Sequence, residues 1–239
     1  MYRKPNQIRI WVYGKPYPSN IFQKGQALIN ILTIVTFCYV IGSIPFGVIL
    51  VRLLHKVDLR EYGSGNTGMT NVMRTTGTMP GIVVLILDSG KGFAAVFLAQ
   101  SFGQSLLLEV GSAIAVLMGH NWSVFLNFKG GKGTATGIGA LIALSPSVGI
   151  IVLLISMPVI IISRYMSLAS IIGASSALFV MCTLYIFNAA VIPGDIISIE
   201  HILYPAVGSP IIIIKHKENI IRLIKGTERK IGVSIATEK

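Results

Sequence analysis

The chain has 239 residues, of which 53% are hydrophobic and only 12% are charged, and its mean hydropathy is +0.74. Soluble globular domains carry roughly 25% charged residues and disordered chains are poor in hydrophobic residues, so this composition excludes both classes and predicts a polytopic membrane protein. The basic residues behind the formal net charge of +11 are interspersed among apolar segments, which favours anionic partners and does not indicate nucleic-acid binding.

Long uncharged segments predict the membrane helices, because a helix needs about 20 apolar residues to cross the hydrocarbon core. We divide the uncharged run from 133 to 163 in two, since Pro146 disfavours helix at the residue before it. Pro205 and Pro210 favour a break in the last segment. The sequence thus predicts an all-α integral membrane protein with about seven transmembrane helices, near residues 27–51, 80–102, 106–126, 133–146, 148–163, 167–190 and 202–215.

The positive-inside rule predicts the orientation of these helices. Segment 52–78 carries four Lys or Arg residues and the tail from 215 carries seven, whereas the connections 103–108 and 191–201 carry none. This asymmetry places the N-terminus outside and the C-terminus in the cytoplasm. Five basic residues in 1–26 oppose it, and we interpret this segment as a non-catalytic extension before a transmembrane catalytic domain, 27–215, and a cytoplasmic basic tail, 216–239.

Two ionisable residues, Asp88 and Lys91, lie inside a predicted helix. Each costs about 2.5–3.5 kcal/mol to insert into a membrane, so such residues are functional candidates. They are three residues apart on one helical face and close enough to pair. The alternative interpretation is an internal ion pair that tethers two helices.

Three glycine-rich polar segments flank the predicted helices, at 63–74, 88–92 and 119–134. Glycine lets backbone amides converge on an anion, and a helix N-terminus adds partial positive charge. Arg74, Lys91, Lys129 and Lys132 supply full charges. The segments predict a cytoplasm-facing site for two phosphates, although loop glycines combined with positive-inside lysines would explain any one of them.

Other known motifs do not account for these segments. Gly63, Gly65 and Gly68 have the dinucleotide-binding spacing, but no buried strand precedes them, and Lys91 and Lys132 are followed by glycine where a P-loop needs Ser or Thr. The sequence has no G-x-S-x-G elbow, no H-E-x-x-H pair and no H-x-x-x-x-D acyltransferase signature. We therefore predict no metal and no cofactor.

At the same residues the sequence resembles the acyl-phosphate-dependent glycerol-3-phosphate acyltransferases of bacterial membranes, the PlsY family. The resemblance covers residues 38 to about 233. Met69 stands where a small residue is usual in the family, and Ser123 stands where proline is usual. We expect these two differences to affect local packing. Five segments match in order: Ser64–Arg74, Asp88–Gly92, Gly119–Gly133, Arg164–Ser170 and His216–Glu228.

The resemblance implies a multi-pass protein of the bacterial inner membrane with seven spans, an external N-terminus and a cytoplasmic active site. It implies transfer of a fatty acyl group from acyl phosphate to the sn-1 hydroxyl of glycerol 3-phosphate. Its partners would be these two substrates, the lipid bilayer and an enzyme that supplies acyl phosphate. A transporter of phosphate or organic anions and an acyl-CoA-dependent acyltransferase remain as alternatives.

The resemblance also leads to an assignment of site residues. His120, with a pKa near working pH, is the expected general base, and the competing candidate is the phosphate of the substrate itself. Two groups would hold the phosphates and a third would complete the site. The first group is Lys129, Gly130, Gly131, Lys132 and Gly133; the second is Arg74, Lys91, Ser64, Asn66 and Asn71; the third is Ser167, His216 and Asn219.

Overall fold

A computed structural model describes residues 11–12, 15–16, 19–103, 105–189 and 191–232. Part of the predicted extension 1–26 and the end of the predicted tail, 233–239, lie outside the described residues. Within the extension, strand β1 (Trp11–Val12) pairs antiparallel with β2 (Lys15–Pro16). Every other regular element in the described part of the chain is helical, which confirms the all-α prediction.

Ten α-helices make up the fold within these described ranges. Four segments are long and apolar enough to cross a bilayer: 24–55, which includes a break, 78–101, 146–163 and 166–186. The count of seven spans and the orientation of the termini remain predictions. The helices are α1 (Ser19–Ser43), α2 (Phe46–His55), α3 (Met69–Thr76), α4 (Thr78–Ser101), α5 (Leu106–Asn121), α6 (Thr134–Leu144), α7 (Pro146–Ser163), α8 (Met166–Ile186), α9 (Ile199–Lys215) and α10 (Lys217–Ile224).

Several predicted boundaries were wrong. The predicted helix 27–51 is interrupted at Ile44 and Pro45, because proline has no amide hydrogen to continue the hydrogen-bond ladder. The predicted helix 106–126 ends at Asn121, where the chain enters a glycine-containing loop. Conversely, α9 runs through Pro205 and Pro210 without the predicted break, as membrane helices can when neighbouring groups satisfy the freed backbone. The short helices α3 and α10 were missed because neither is a long apolar run.

Glycines set the close packing that brings the polar loops together. A Cβ at Gly42 of α1 would collide with the backbone of α5, and one at Gly119 of α5 would collide with the backbone of α1. Gly92 of α4 and Gly139 of α6 make the same kind of backbone contact between their helices. Small residues at such crossings allow membrane helices to approach closely. As a result, the C-terminal end of α5 and the N-terminal end of α6 lie beside the middle of α4, where His120, Thr136 and Asp88 come close together.

Candidate active site

A cavity of about 290 Å³ lies between α3, α4, the end of α5 and the helices from α6 to α10. One end is polar and the remainder is apolar. The polar end gathers residues from all five segments that were singled out in the sequence. They are Ser64, Asn66, Asn71, Arg74, Asp88, His120, Lys132, Gly133, Ser167, His216, Asn219, Arg222 and Glu228.

Lys132 and the start of α6 form a positive wall of this cavity. Gly133 has a φ of +83°, a left-handed conformation that lets the chain turn directly into α6. The first residues of that helix line the cavity, and a helix N-terminus carries partial positive charge. Lys132 donates a hydrogen bond to Oδ1 of Asn219. Burial, together with the positive charge of Arg222, lowers the pKa of Lys132 to about 8.

Glu228 is a site residue that the sequence prediction missed. Its Oε1 accepts hydrogen bonds from Ser167 Oγ at 2.8 Å and from Asn219 Nδ2 at 2.6 Å. Its Oε2 accepts from Arg222 Nε at 2.8 Å. Burial alone would raise the pKa of Glu228, but these donors and the charge of Arg222 hold it below its ordinary value. Glu228 therefore acts as an ionised acceptor at the centre of the polar end.

The segment that carries Glu228, residues 226–232, crosses the polar end of the cavity, and we call it the C-terminal strap. It is tied to the start of α8 by two reciprocal hydrogen bonds, from Ile231 N to Arg164 O at 2.9 Å and from Arg164 Nη2 to Ile231 O at 2.8 Å. Arg74 Nη2 donates to the carbonyl of Arg229 at 3.3 Å. This part of the predicted tail is thus a wall of the site.

Asn71 organises the loop before α3. It is 1% exposed, and its Oδ1 accepts from the amide of Ser64 at 2.8 Å. Its Nδ2 lies within hydrogen-bond distance of three carbonyls, those of Leu59, Tyr62 and Asn66. With its amide engaged in this way, Asn71 does not offer the phosphate contact that was predicted. It holds Ser64 and Asn66 at the cavity wall instead.

Lys91 does not line this cavity, which corrects its predicted contact with a phosphate. Its Nζ lies 2.7 Å from Oδ1 of Asp88, and both side chains are 3% exposed. The same ammonium donates to the carbonyl of Ile44 at 2.8 Å. The predicted pairing of Asp88 and Lys91 is present, and Lys91 also satisfies the backbone at the break between α1 and α2.

The loop before α6 also differs from its prediction. The amides of Gly130 and Gly131 donate to the carbonyls of Asn121 and His120, at 3.3 and 3.0 Å, so they are not free to bind phosphate. A Cβ at Gly131 would collide with Nε2 of His120. Lys129 is exposed and lies outside the cavity lining. These glycines fit the loop against α5, while Lys132 and Gly133 reach the cavity.

Two histidines line the cavity in different surroundings. His120 Nδ1 lies 3.1 Å from Thr136 Oγ1 and 3.6 Å from Asp88 Oδ1. His216 Nδ1 lies 2.8 Å from the carbonyl of Ile212, and since a carbonyl only accepts, this nitrogen carries the proton. Burial, with a smaller effect of Lys132, lowers the pKa of His216 to about 4. His216 is therefore neutral, and its Nε2 is a hydrogen-bond acceptor.

The rest of the cavity is apolar and follows the helices away from the polar end. A cationic end with several hydrogen-bond donors can bind phosphate, and the adjoining walls can hold a hydrocarbon chain. These walls are formed by Ile138, Leu141, Val152, Leu153, Met157, Ile160, Ala169, Gly173, Ala174, Ala177, Tyr204, Pro205, Gly208 and Ile212.

Comparisons with known proteins agree with this arrangement. Residues 32–226 match the family model described as glycerol-3-phosphate acyltransferase. The chain is 43% identical over 204 residues to the glycerol-3-phosphate acyltransferase of Desulforamulus reducens, an alignment that covers 85% of this chain and 96% of that protein. It is 42% identical over 194 residues to glycerol-3-phosphate acyltransferase 2 of Moorella thermoacetica, covering 81% and 94% of the two chains.

Two solved structures are also similar. Both are crystal structures of PlsY, an integral membrane glycerol 3-phosphate acyltransferase. The glycerol 3-phosphate form has 38% sequence identity and a TM-score of 0.76, and the match covers 85% of this chain and 96% of that one. The form with lysophosphatidic acid has 36% identity and a TM-score of 0.73 over the same shares.

Proposed function

The chain belongs to the glycerol-3-phosphate acyltransferase family, and from this premise we propose that it transfers a fatty acyl group from acyl phosphate to the sn-1 hydroxyl of glycerol 3-phosphate. The products are lysophosphatidic acid and inorganic phosphate. One observation carries the proposal: Lys132, Arg74 and Arg222 line the polar end of a cavity whose remaining walls are mostly apolar. Such a cavity suits a substrate pair that combines phosphate groups with one acyl chain.

The proposed reaction needs no covalent intermediate on the protein. The sn-1 oxygen forms a bond to the carbonyl carbon of the acyl phosphate, and the bond between that carbon and the phosphate oxygen then breaks. The leaving phosphate takes the electron pair. Fixed positive charge and hydrogen-bond donors stabilise the negative charge that develops, and removing one such donor typically costs about 10²- to 10³-fold in rate.

Different residues of the cavity would bind the two phosphates and the glycerol hydroxyls. Lys132 and the N-terminus of α6 would bind one phosphate, while Arg74, Ser64 and Asn66, which line the same polar end, would bind the other. Asn219 would contact the substrate beside Lys132. Neutral His216 would accept a hydrogen bond from a glycerol hydroxyl through Nε2.

The proton of the attacking hydroxyl has two candidate acceptors, His120 and the phosphate of the substrate. Nδ1 of His120 lies beside Thr136, and its Nε2 lies against Gly131. A general base must come within hydrogen-bond reach of the proton that it removes. We take the substrate phosphate as the acceptor, because Nδ1 of His120 is engaged by Thr136, and His120 then positions the loop that carries Lys132.

A transporter is not favoured, because the relatives at about 40% identity are named as acyltransferases. A phosphate-binding cavity next to an apolar channel would fit an acyl-CoA-dependent enzyme as well, so the donor needs a direct test. We further propose a bacterial inner-membrane location with the cavity's polar end facing the cytoplasm, because Arg74, Lys132 and Arg222 line that end and basic residues favour the cytoplasmic side.

The test is purified protein in detergent with glycerol 3-phosphate and one donor at a time, scored for lysophosphatidic acid. We expect product from acyl phosphate and none from acyl-CoA. Product from acyl-CoA alone would overturn the donor assignment, whereas no product from either donor would overturn the proposed activity. Omission of glycerol 3-phosphate is the control for hydrolysis of the donor.

A further inference from the structure

The apolar part of the cavity has a definite length along two helices. On α8 the lining runs from Ser167, at the polar end, to Ala177, and these ten residues of helix extend about 15 Å. On α9 it runs from His216 to Tyr204, a distance of about 18 Å for twelve residues. Ser209 Oγ donates to the carbonyl of Ala174 at 2.5 Å. The two helices are therefore in direct contact and form one continuous wall of the channel.

Along α8 and α9 the far end of this channel meets packed side chains, whereas on the α7 side the lining residues Leu153 and Met157 are 38% and 49% exposed. Tyr204 lines the cavity and is 4% exposed, and its hydroxyl donates to the carbonyl of Gly137 at 2.8 Å, which fixes the ring in place. Met181 lies one turn beyond Ala177 on the same face of α8, and it is fully buried and does not line the cavity. The channel therefore ends between Ala177 and Met181.

Small residues form most of the α8 side of the channel. A Cβ at Gly173, one turn before Ala177, would lie 2.6 Å from Ser156 Oγ and 3.6 Å from Val152 Cγ1 of α7. Ala177 is 6% exposed and is the last residue of α8 that lines the cavity. A larger side chain at Gly173 would meet α7, whereas one at Ala177 would extend from the inner end of the lining.

We infer that Ala177 and Tyr204 form a stop that limits the length of the acyl chain. The inference rests on the proposed function, because it assumes that the acyl carbonyl lies at the polar end. The chain would then run along α8 towards Tyr204, and its terminal methyl group would meet Ala177. A chain that instead left the cavity between helices into the bilayer would have no such limit.

The test compares kcat/KM for decanoyl phosphate and palmitoyl phosphate in the wild type and in Ala177→Leu. We expect the ratio in favour of the shorter donor to rise at least about tenfold, because one misfitting methylene in an apolar pocket costs about 10- to 200-fold. The matched control is Ser175→Leu, since Ser175 is also a small residue of α8, but it is exposed and does not line the cavity. We expect it to leave the ratio unchanged.

Two further variants keep the test decisive if Ala177→Leu does not fold. Ala177→Val should shift the ratio in the same direction by a smaller factor, and Met181→Ala should favour stearoyl over palmitoyl phosphate by opening the closed end. An active enzyme whose chain-length ratios do not change in these variants would overturn the inference. A wild type that uses no acyl phosphate would instead overturn the proposed function, so the two failures are distinguishable.

Discussion

The carboxylate of Glu228 and the hydroxyl of Ser167 are joined by a hydrogen bond of 2.8 Å, although 61 residues separate them in the chain. Ser167 is in the first turn of α8, and Glu228 is on the C-terminal strap. Asn219 and Arg222 donate to the same carboxylate. This contact lies at the polar end of the cavity. The ionised carboxylate of Glu228 therefore holds the predicted tail against the helices of the core.

Replacing Glu228 with Gln should lower both activity and stability. The amide nitrogen would face other donors, and Arg222 would lose its buried partner, at a cost of about 1–3 kcal/mol. Because folding lowers the Glu228 pKa from its ordinary value of 4.5, its contribution is present above that pH and is lost as the pH falls through the folded pKa. The stability deficit of the variant in thermal unfolding should therefore shrink at acidic pH.

The matched control for this change is Glu218→Gln. Glu218 also lies near Arg222, with 3.9 Å between the charged groups, but its side chain is 86% exposed. Exposed ion pairs contribute little to stability, so we expect wild-type unfolding and activity. Equal losses in the two variants would show that charge on α10, and not the buried contact with Ser167, is what matters.

The pH dependence of glycerol 3-phosphate use should reflect Lys132. Its pKa is lowered to about 8, so the free enzyme loses this positive charge as the pH rises through that value. We expect kcat/KM for glycerol 3-phosphate to fall above pH 8, because this ratio reports ionisations of the free enzyme. In Lys132→Arg the alkaline fall should disappear, since arginine stays charged. An unchanged alkaline limb in that variant would assign the ionisation to another group.

His120→Ala should raise KM for glycerol 3-phosphate more than it lowers kcat. The variant removes the ring that packs against Gly131 and contacts Thr136, which disturbs the loop before Lys132. A general base contributes about 10²- to 10⁴-fold to the rate. A loss of that size in kcat, together with disappearance of the acidic limb of its pH profile, would make His120 the base. His55→Ala, on an exposed position of α2, is the comparison variant.

Lys91→Met should impair folding. Removing the ammonium would leave the carboxylate of Asp88 buried without its partner, which typically costs about 3–5 kcal/mol. The double variant Asp88→Asn, Lys91→Met should recover much of the thermal stability in detergent, because no buried charge would remain unpaired. Lys91→Met with wild-type stability and a raised KM for phosphate substrates would restore the role that was predicted from the sequence.

The sequence was sufficient to predict the helical membrane class and most of the residues that line the polar end of the cavity. Composition and long uncharged runs determine where apolar helices form, and the polar segments stand out against them. The prediction failed at Pro45, Pro205 and Pro210, since the same residue breaks α1 from α2 and is accommodated inside α9. Which outcome occurs depends on neighbouring groups, such as Lys91 at the carbonyl of Ile44, and these cannot be located from a single sequence.

The same limit applies to the site residues. Glycines and lysines in one loop look equivalent in the sequence, but Gly131 supports His120 while Lys132 faces the cavity. Arg222 and Glu228 were overlooked, and for Glu228 nothing local in the chain indicates that the strap folds back to Ser167. The spacing of Asn219 and Arg222, three residues apart on one face of α10, was a signal that could have identified Arg222.

We expect the phosphate of glycerol 3-phosphate to bind in the cavity and not on the exposed loop beside it. The decisive measurement is the dissociation constant of glycerol 3-phosphate, obtained by calorimetry on purified wild type, Lys132→Gln and Lys129→Gln. Loss of a hydrogen bond to a charged group costs about 1.5–3 kcal/mol, so Lys132→Gln should weaken binding by about 10- to 100-fold. Lys129→Gln, at a position outside the cavity, should bind like the wild type. Wild-type affinity in Lys132→Gln with a large loss in Lys129→Gln would contradict the account.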